Sequence, residues 1–386
     1  YSQKEDTWAT EYAGRISKVV DLETAADTVS YDFTRALRDE MTDYTRYDNS
    51  ISYGNGLTYR LDYTDIQVER FSSRDKRAVG TVSGPDLNGN EVEAEITIQA
   101  LTLDDGYVTD VLLYVPETAG TKDIPVVVVW HGGSQTGHLF MDSTAWWQTA
   151  AAEGFALALP TRTNHNQGTS SDYDLPIFDK VVQYLKNDGR FDMGRIYTTG
   201  QSMGSMESQQ FAQETPDYYA AVASTSFYQD YPDAHSDKPI PTYLINGEGN
   251  GKDDTGTPYD DRWNRTDDWA QYFLRVNGFV YTPAVYAADG TVTTFGVPVS
   301  EPVFTVTGPY DRFETYTWIN GQDIPLVQYT NSLYRPHNCL TSEIPMLWDF
   351  LEHYRCERDE DGAVTARYYS ASAFKRDDQV LIQFGA

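Results

Sequence analysis

The chain of 386 residues has only two cysteines, Cys339 and Cys356, and their number leaves the compartment open. They flank residues 342–354, where Ile344, Leu347, Trp348 and Leu351 recur at helical spacing, and a helix that long holds its ends roughly 20 Å apart. A disulfide needs Cα atoms within about 7 Å, so both thiols are expected to be free. Long apolar runs are also missing. The longest, residues 125–130, falls far short of the roughly 18 residues needed to cross a bilayer, so no membrane span is expected. Positive charge is scarce, with 29 Lys+Arg against 58 Asp+Glu and a formal charge of −29. Such a surface repels phosphate backbones and anionic lipid, and neither nucleic acid nor a membrane is expected as a partner. There is no Gly-x-x-x-x-Gly-Lys-Ser/Thr, no dinucleotide-type Gly-x-Gly-x-x-Gly after a strand, no His-Glu-x-x-His and no Cys-x-x-Cys. Phosphate, nicotinamide and zinc sites are therefore not indicated, and no cofactor or metal is expected. The acidic pairs Asp260-Asp261 and Asp267-Asp268 read as solvated residues at a helix start before they read as cation ligands. The first residue is Tyr1, with no Met and no signal-like segment, and secretion after loss of a leader is favoured over the cytoplasm.

What is present is the composition of a globular protein, 40% hydrophobic and 23% charged with 28 Gly and 17 Pro, able to bury a sizeable core. In residues 1–50 Tyr31, Phe33, Leu37, Met41 and Tyr44 roughly trace one face, which predicts a helical N-terminal extension. That face needs covering, by the body of the protein or by a second copy, so a homo-oligomer through the extension is an open expectation. Residues 51–105 alternate in short runs broken by Asn55-Gly56 and Asn88-Gly89, which predicts antiparallel strands joined by tight turns. The stretch from Asp86 to Asn90 superficially has the look of a calcium loop, but its glycine falls at position four and Thr97 stands where a Glu is wanted, so the hairpin is retained.

From residue 125 the pattern changes. Apolar, β-rich runs at 125–130, 155–160, 195–199, 219–224 and 241–246 are interspersed with helical patterns at 144–153, 175–187, 203–213 and 266–276. The fold class predicted is α/β, a buried mostly parallel sheet with helices on both faces, over residues 106–356. Asp289-Gly290 and Asn320-Gly321 mark hairpins, the first within an insertion at about 280–312, and residues 357–386 are left as a tail. The 29 tyrosines and the Trp146-Trp147 pair read as core and rim packing before they read as an aromatic groove.

Three elements carry chemistry. Gly200-Gln201-Ser202-Met203-Gly204 lies between a predicted strand and a predicted helix. A turn that sharp forces the serine into a strained backbone state, and the flanking glycines supply the room; the bland reading is a glycine-flanked turn with an ordinary serine. The helix that follows directs its positive end and free N–H groups at Ser202. His131-Gly132-Gly133-Ser134-Gln135-Thr136-Gly137 follows the first parallel strand, where small residues let backbone N–H groups join that of Met203 around an oxyanion, although a plain glycine-rich turn has the same composition. His131 itself is expected to hydrogen-bond the backbone and fix that loop. The third element is Tyr334-Arg335-Pro336-His337-Asn338. Of the remaining histidines, His138, His165, His235 and His353 sit in loops or on a helix, and His337 alone falls in the chain order Ser, acid, His at a strand end, which makes it the expected general base; the bland reading is a satisfied loop histidine.

On these residues the chain from 106 to 355 resembles the α/β-hydrolase esterases, and within them the poly(3-hydroxybutyrate) depolymerase and feruloyl esterase group. Further matches are Trp146, Gly154-Phe155 through Pro160, Arg195-Ile196-Tyr197, and Trp348-Asp349-Phe350-Leu351 after Pro336-His337. The resemblance implies Ser202 as nucleophile, His337 as base, and Met203 with Gly133 as oxyanion donors, Ser134 being the alternative. It implies a serine ester hydrolase acting on short-chain, hydroxyalkanoate-type or hydroxycinnamoyl esters. A peptidase of the same fold, or an impaired hydrolase fold used for binding, is the rival expectation. The chain departs from the pattern at the acid, where Asn250 occupies the position of the usual Asp. An amide cannot carry the charge that stabilises imidazolium, so Glu248 is taken first, with Asp254 and then Asp253 as alternatives, and Asp230 or Asp233 if none of these serves.

Overall fold

The structure is a computed structural model, and it describes residues 28–32, 58–64, 77–106, 108–133, 135–137, 140–141, 144–161, 171–228, 235–248, 267–283, 285–288, 292–294, 297–308, 311–335 and 339–385. The chain divides into two compact units, Tyr1–Met193 with Leu340–Pro345, and Gly194–Cys339 with Met346–Ala386.

In the first unit strands β1 (Thr28–Asp32), β2 (Thr58–Thr64), β3 (Arg77–Pro85), β4 (Glu91–Thr102) and β5 (Val108–Pro116) form an antiparallel run. Strands β6 (Ile124–Trp130) and β7 (Ala156–Pro160) complete the order β1-β2-β3-β4-β5-β7-β6. β7 is antiparallel to β5 and parallel to β6. Val126 to Trp130 are all fully buried, as expected for a strand covered on both faces, whose side chains must then be apolar on both. Helices α1 (Trp146–Glu153) and α2 (Ser171–Asp188) flank β7 in sequence. The β3–β4 hairpin turns at Gly89, with φ 82°. There Asp86 accepts hydrogen bonds from the N–H groups of Asn88 and Asn90 at 2.8 Å each. Its carboxylate is thus spent on the turn, which bears out the hairpin reading.

The second unit holds β8 (Phe191–Gly200, which starts at the boundary), helix α3 (Met203–Glu214), β9 (Val222–Thr225), β10 (Thr242–Glu248) and helix α4 (Asp267–Val276). Short hairpin strands β11 (Tyr281–Thr282), β12 (Val285–Tyr286), β13 (Val292–Thr294) and β14 (Val297–Pro298) follow. They precede β15 (Val303–Thr307), β16 (Phe313–Ile319), β17 (Pro325–Arg335) and helix α5 (Ile344–Leu351). The order is β8-β9-β10-β17-β16-β15, parallel from β8 to β17 and antiparallel beyond. α5 brings Trp348 edge-on to Tyr197 of β8 at 5.9 Å between ring centroids and Phe350 to Tyr243 of β10 at 5.5 Å. An antiparallel lead-in, the exchanged order of β6 and β7, and four later parallel strands with helices after β8 and β10 are the arrangement of the α/β-hydrolase fold. The fold is the one expected.

Three details differ from the sequence reading. Thr28–Asp32 is a strand where helix was expected. Its Thr-Val-Ser-Tyr sequence suits a pleated surface, and pairing with β2 decides a segment that local propensity leaves open; the rest of 1–50 lies outside the described residues. Residues 357–386 are more than a tail, since β18 (Tyr354–Arg358), β19 (Val364–Tyr369) and β20 (Val380–Leu381) form a three-stranded sheet. Arg367 of β19 is buried and donates to the carbonyls of Pro239 (2.9 Å), Pro216 (2.5 Å) and Tyr219 (3.2 Å), and that burial pulls its guanidinium down to about 10. Arg358 donates to the carbonyls of Asp217 and Tyr218. A cation removed from water is stable only with such a full set of acceptors. The strand expected over 325–329 runs on to Arg335. Cys339 and Cys356 are both free, as expected. Among the described residues no helix is long and apolar enough to cross a membrane.

Candidate active site

β8 ends at Gly200, Gln201 makes a parallel bridge to Thr225, and α3 begins at Met203. Between them Ser202 has φ 56° and ψ −119°, a conformation that L-residues avoid and that costs on the order of 1–3 kcal/mol. The turn holds because the chain folds back on itself. The Gly204 N–H donates to the Gln201 carbonyl at 2.9 Å and the Met206 N–H to the Ser202 carbonyl at 3.1 Å. A Cβ on Gly200 would lie 2.1 Å from the Gly204 carbonyl oxygen, so this glycine is obligatory. Ser202 is half-buried and its side chain does not cap α3. The first turn of α3 carries no acidic residue, which leaves the positive end of the helix dipole unopposed beside the hydroxyl.

α3 is polar yet buried, with Ser205, Glu207, Ser208, Gln209, Gln210 and Gln213 all enclosed. The Ser205 hydroxyl donates to the Phe227 carbonyl at 2.6 Å, and the Ser208 and Ser224 hydroxyls lie 2.5 Å apart. Trp269 donates its indole N–H to Gln209 Oε1 at 3.0 Å. Gln213 donates its side-chain amide to the Tyr228 hydroxyl at 2.8 Å. These bonds fix the helix that carries the elbow against β9 and α4. No sequence signal announces them, because a polar helix reads as a solvated one.

The strand register sets the remaining candidates. Gln201 is level with Thr225, Thr225 with Ile245 and Ile245 with Thr330. Ser202 therefore leaves its strand at the same height as β10 and β17 approach their carboxyl ends, each strand roughly 4.8 Å from the next. Beyond that level the register shifts between Asn246 and Glu248, and the backbone of Glu248 pairs with Arg335, two residues before His337. Gly247 makes the shift possible, with φ 138° and a would-be Cβ only 2.1 Å from the Ser332 carbonyl oxygen. Gly247→Ala is expected to lower stability by about 3 kcal/mol through this overlap and the strained φ, read as a shift of the denaturant midpoint at constant slope. His337, Asn250, Asp253, Asp254, Asp230, Asp233 and Ser134 lie outside the described residues, as do the side chains of Glu248 and Arg335.

In the other unit, the loop after β6 has a buried His131 whose Nδ1–H donates to the Gly132 carbonyl at 2.6 Å, so the expected loop-fixing role is what is found. Gly133 is exposed at the tip. The far end is tied down by the Gly137 N–H, which donates to the Thr161 hydroxyl at 3.2 Å. A Cβ on Gly137 would lie 2.3 Å from the Leu159 carbonyl oxygen.

Among the described residues the one group able to hold a cation is Asp349, Glu352 and His353, whose ligand atoms lie within 4.8 Å of one another. It sits at the end of α5, next to Tyr354, whose hydroxyl donates to the Pro325 carbonyl at the amino end of β17. That is the opposite end of the parallel strands from Ser202.

No protein-family model matches the chain. A curated relative, the bifunctional acetylxylan esterase/xylanase XynS20E of Neocallimastix patriciarum, is 23% identical over 278 residues, 70% of this chain and 36% of that protein. The chain thus spans about a third of the length of the curated relative it matches. Among solved structures, the acetyl xylan esterase from Aspergillus awamori is 14% identical, with a TM-score of 0.43 over 62% of this chain and 93% of that one. A feruloyl esterase module from Clostridium thermocellum, complexed with sinapinate, is 13% identical, with a TM-score of 0.37 over 48% of this chain and 75% of that one.

Proposed function

We propose that this α/β-hydrolase chain is a serine ester hydrolase. The observation that carries the reading is the strained backbone of Ser202 at the junction of β8 and α3, because a fold retains a cost of that kind where it serves a task. His337 removes the Ser202 proton as Oγ attacks the ester carbonyl. The N–H of Met203, at the start of α3, takes up negative charge of the tetrahedral intermediate. His337 then protonates the departing alcohol. Water, deprotonated by the same histidine, cleaves the acyl-enzyme, and Ser202 regains its proton. Glu248 is proposed as the carboxylate that holds His337 in the right tautomer, supported by the pairing of its backbone with the strand leading into that histidine.

The proposed substrates are short acyl esters. The acetylxylan esterase activity in the name of the curated relative favours acetyl groups on a polysaccharide, with hydroxycinnamoyl and hydroxyalkanoate esters as competing classes. Wild-type protein should take one equivalent of a fluorophosphonate label on Ser202 and hydrolyse chromogenic acetyl esters, and EDTA should leave turnover unchanged. A panel of acetyl, hydroxycinnamoyl and hydroxybutyrate esters ranks the acyl group by kcat/KM. Absence of both label and turnover would overturn the reading; cleavage of peptides in preference to every ester would replace it with a peptidase.

A further inference from the structure

In the second unit the sheet ends on an open edge. β15 pairs with β16 on one side and stands last in the order β17-β16-β15, and among the described residues no strand lies beyond it. All five of its residues, Val303-Phe304-Thr305-Val306-Thr307, are exposed. Such an edge presents a row of backbone N–H and C=O groups to any chain that can pair with them, and proteins blunt it with charged side chains, a proline or a bulge. β15 has none of these: it carries no charge, its register with β16 is unbroken, and Pro302 stands just outside it. Packing leads to the same edge. A row of rings runs from Trp269 of α4 to Tyr329 of β17 (6.1 Å between centroids), Tyr316 of β16 (6.4 Å) and Phe304 of β15 (4.9 Å). It begins at side chains shut off from water and ends at Phe304, which is 50% exposed.

We propose that the β15 edge is a docking surface for a second copy of this chain, which adds its own β15 antiparallel about a two-fold axis at Thr305. The strand is complementary to itself. With the axis there, Phe304 lies opposite Val306 of the second copy, Val303 opposite Thr307, and Thr305 opposite its own counterpart. Aromatic with β-branched and Thr with Thr are favourable cross-strand pairs, and no like charges meet face to face. Pro302 and Gly308 bound the strand, so this register gives all five residues a partner, and a slide either way leaves some of them past the end of the other strand. The edge offers no charge for an acidic or basic peptide to read, which favours a second copy over a charged partner. Each copy carries a formal charge of −29, so the copies repel at long range and salt strengthens the contact, the reverse of one built on ion pairs. Pairing at β15 does not depend on the ester-hydrolase reading.

Sedimentation velocity over about a hundredfold range of protein concentration is expected to show monomer passing into dimer, and to show it at lower concentration in high salt. Val306→Lys places an ammonium on the open edge of each copy and is expected to leave monomer throughout, with thermal unfolding unchanged. Cross-linking reads the register. Thr305→Cys sets two thiols opposite one another, with Cα atoms about 4.5–5.5 Å apart in an antiparallel pair, within the range of a disulfide. Mild oxidation should convert that variant to a covalent dimer. Val303→Cys alone should stay monomeric under the same oxidation, and mixed with Thr307→Cys it should cross-link. Cys339 and Cys356 are buried, and oxidised wild type supplies the background. Monomer at every concentration and salt overturns the proposal. So does a dimer that survives Val306→Lys or that high salt dissolves, and so does Val303→Cys cross-linking alone as fast as Thr305→Cys. Should Val306→Lys fail to fold, the cysteine variants decide.

Discussion

Ser202→Ala is expected to lower kcat on an activated ester by about 10⁶, the scale seen when the nucleophile of a serine hydrolase is removed, while the protein remains folded. The size follows from the mechanism proposed: without Oγ there is no acyl-enzyme, and what survives is the modest help of oxyanion donors and binding. Folding should be spared because Ser202 is half-buried and its side chain does not cap α3. The backbone strain gives a second readout. Alanine keeps a Cβ and inherits φ 56°, so its stability should match wild type. Ser202→Gly relieves the strain and should gain on the order of 1 kcal/mol after the entropic cost of glycine. An inactive variant whose stability rises marks a position where structure has been given up for chemistry. Turnover of Ser202→Ala within tenfold of wild type would sink the assignment of the nucleophile.

The second large effect is expected at the acid. Replacing the carboxylate of a serine-hydrolase triad by its amide costs about 10⁴ in turnover, because the histidine is left in the wrong tautomer and its cation unsupported. Glu248→Gln, Asp253→Asn and Asp254→Asn, assayed on one ester with folding checked, should therefore separate by orders of magnitude. Glu248→Gln is expected to fall by about 10⁴ and the other two to stay near wild type. The register supports this order. Glu248 is the last residue of β10, and its backbone lies beside Arg335, two residues before His337 in the sequence. A collapse confined to Asp254→Asn or Asp253→Asn would move the acid into the loop after β10. Full activity in all three would send the search to Asp230 and Asp233.

Much of this protein is legible in its sequence. Short apolar runs such as Val126 to Val129 can only be strands covered on both faces. Asn88-Gly89 and Asn320-Gly321 supply residues that tight turns accept, and the structure places hairpins at both. The elbow is legible as well, because Gly-x-Ser-x-Gly between a strand and a helix specifies a local backbone geometry and little else. These are short-range properties, settled by the residues themselves and their immediate neighbours.

Other features belong to the tertiary structure. Thr28–Asp32 could be read as helix because its neighbours favour one, and only pairing with Thr58–Thr64 decides for strand. Residues 364–369 fold as β19 because a buried arginine, Arg367, finds three carbonyls more than a hundred residues away. The buried amides and hydroxyls of α3 are tolerable only where Phe227, Ser224, Trp269 and Tyr228 supply partners. Gln135 reads as an ordinary loop residue until its side chain is seen on the Gly132 N–H. The sequence alone determined which residue types are available for the chemistry, their order along the chain and the turns that present them. Which strand ends stand level, which glycine lets Glu248 ride beside Arg335, and which side chain locks the Gly132 peptide were decided by long-range packing, because hydrogen bonds between distant segments leave no periodic trace in the order of the residues.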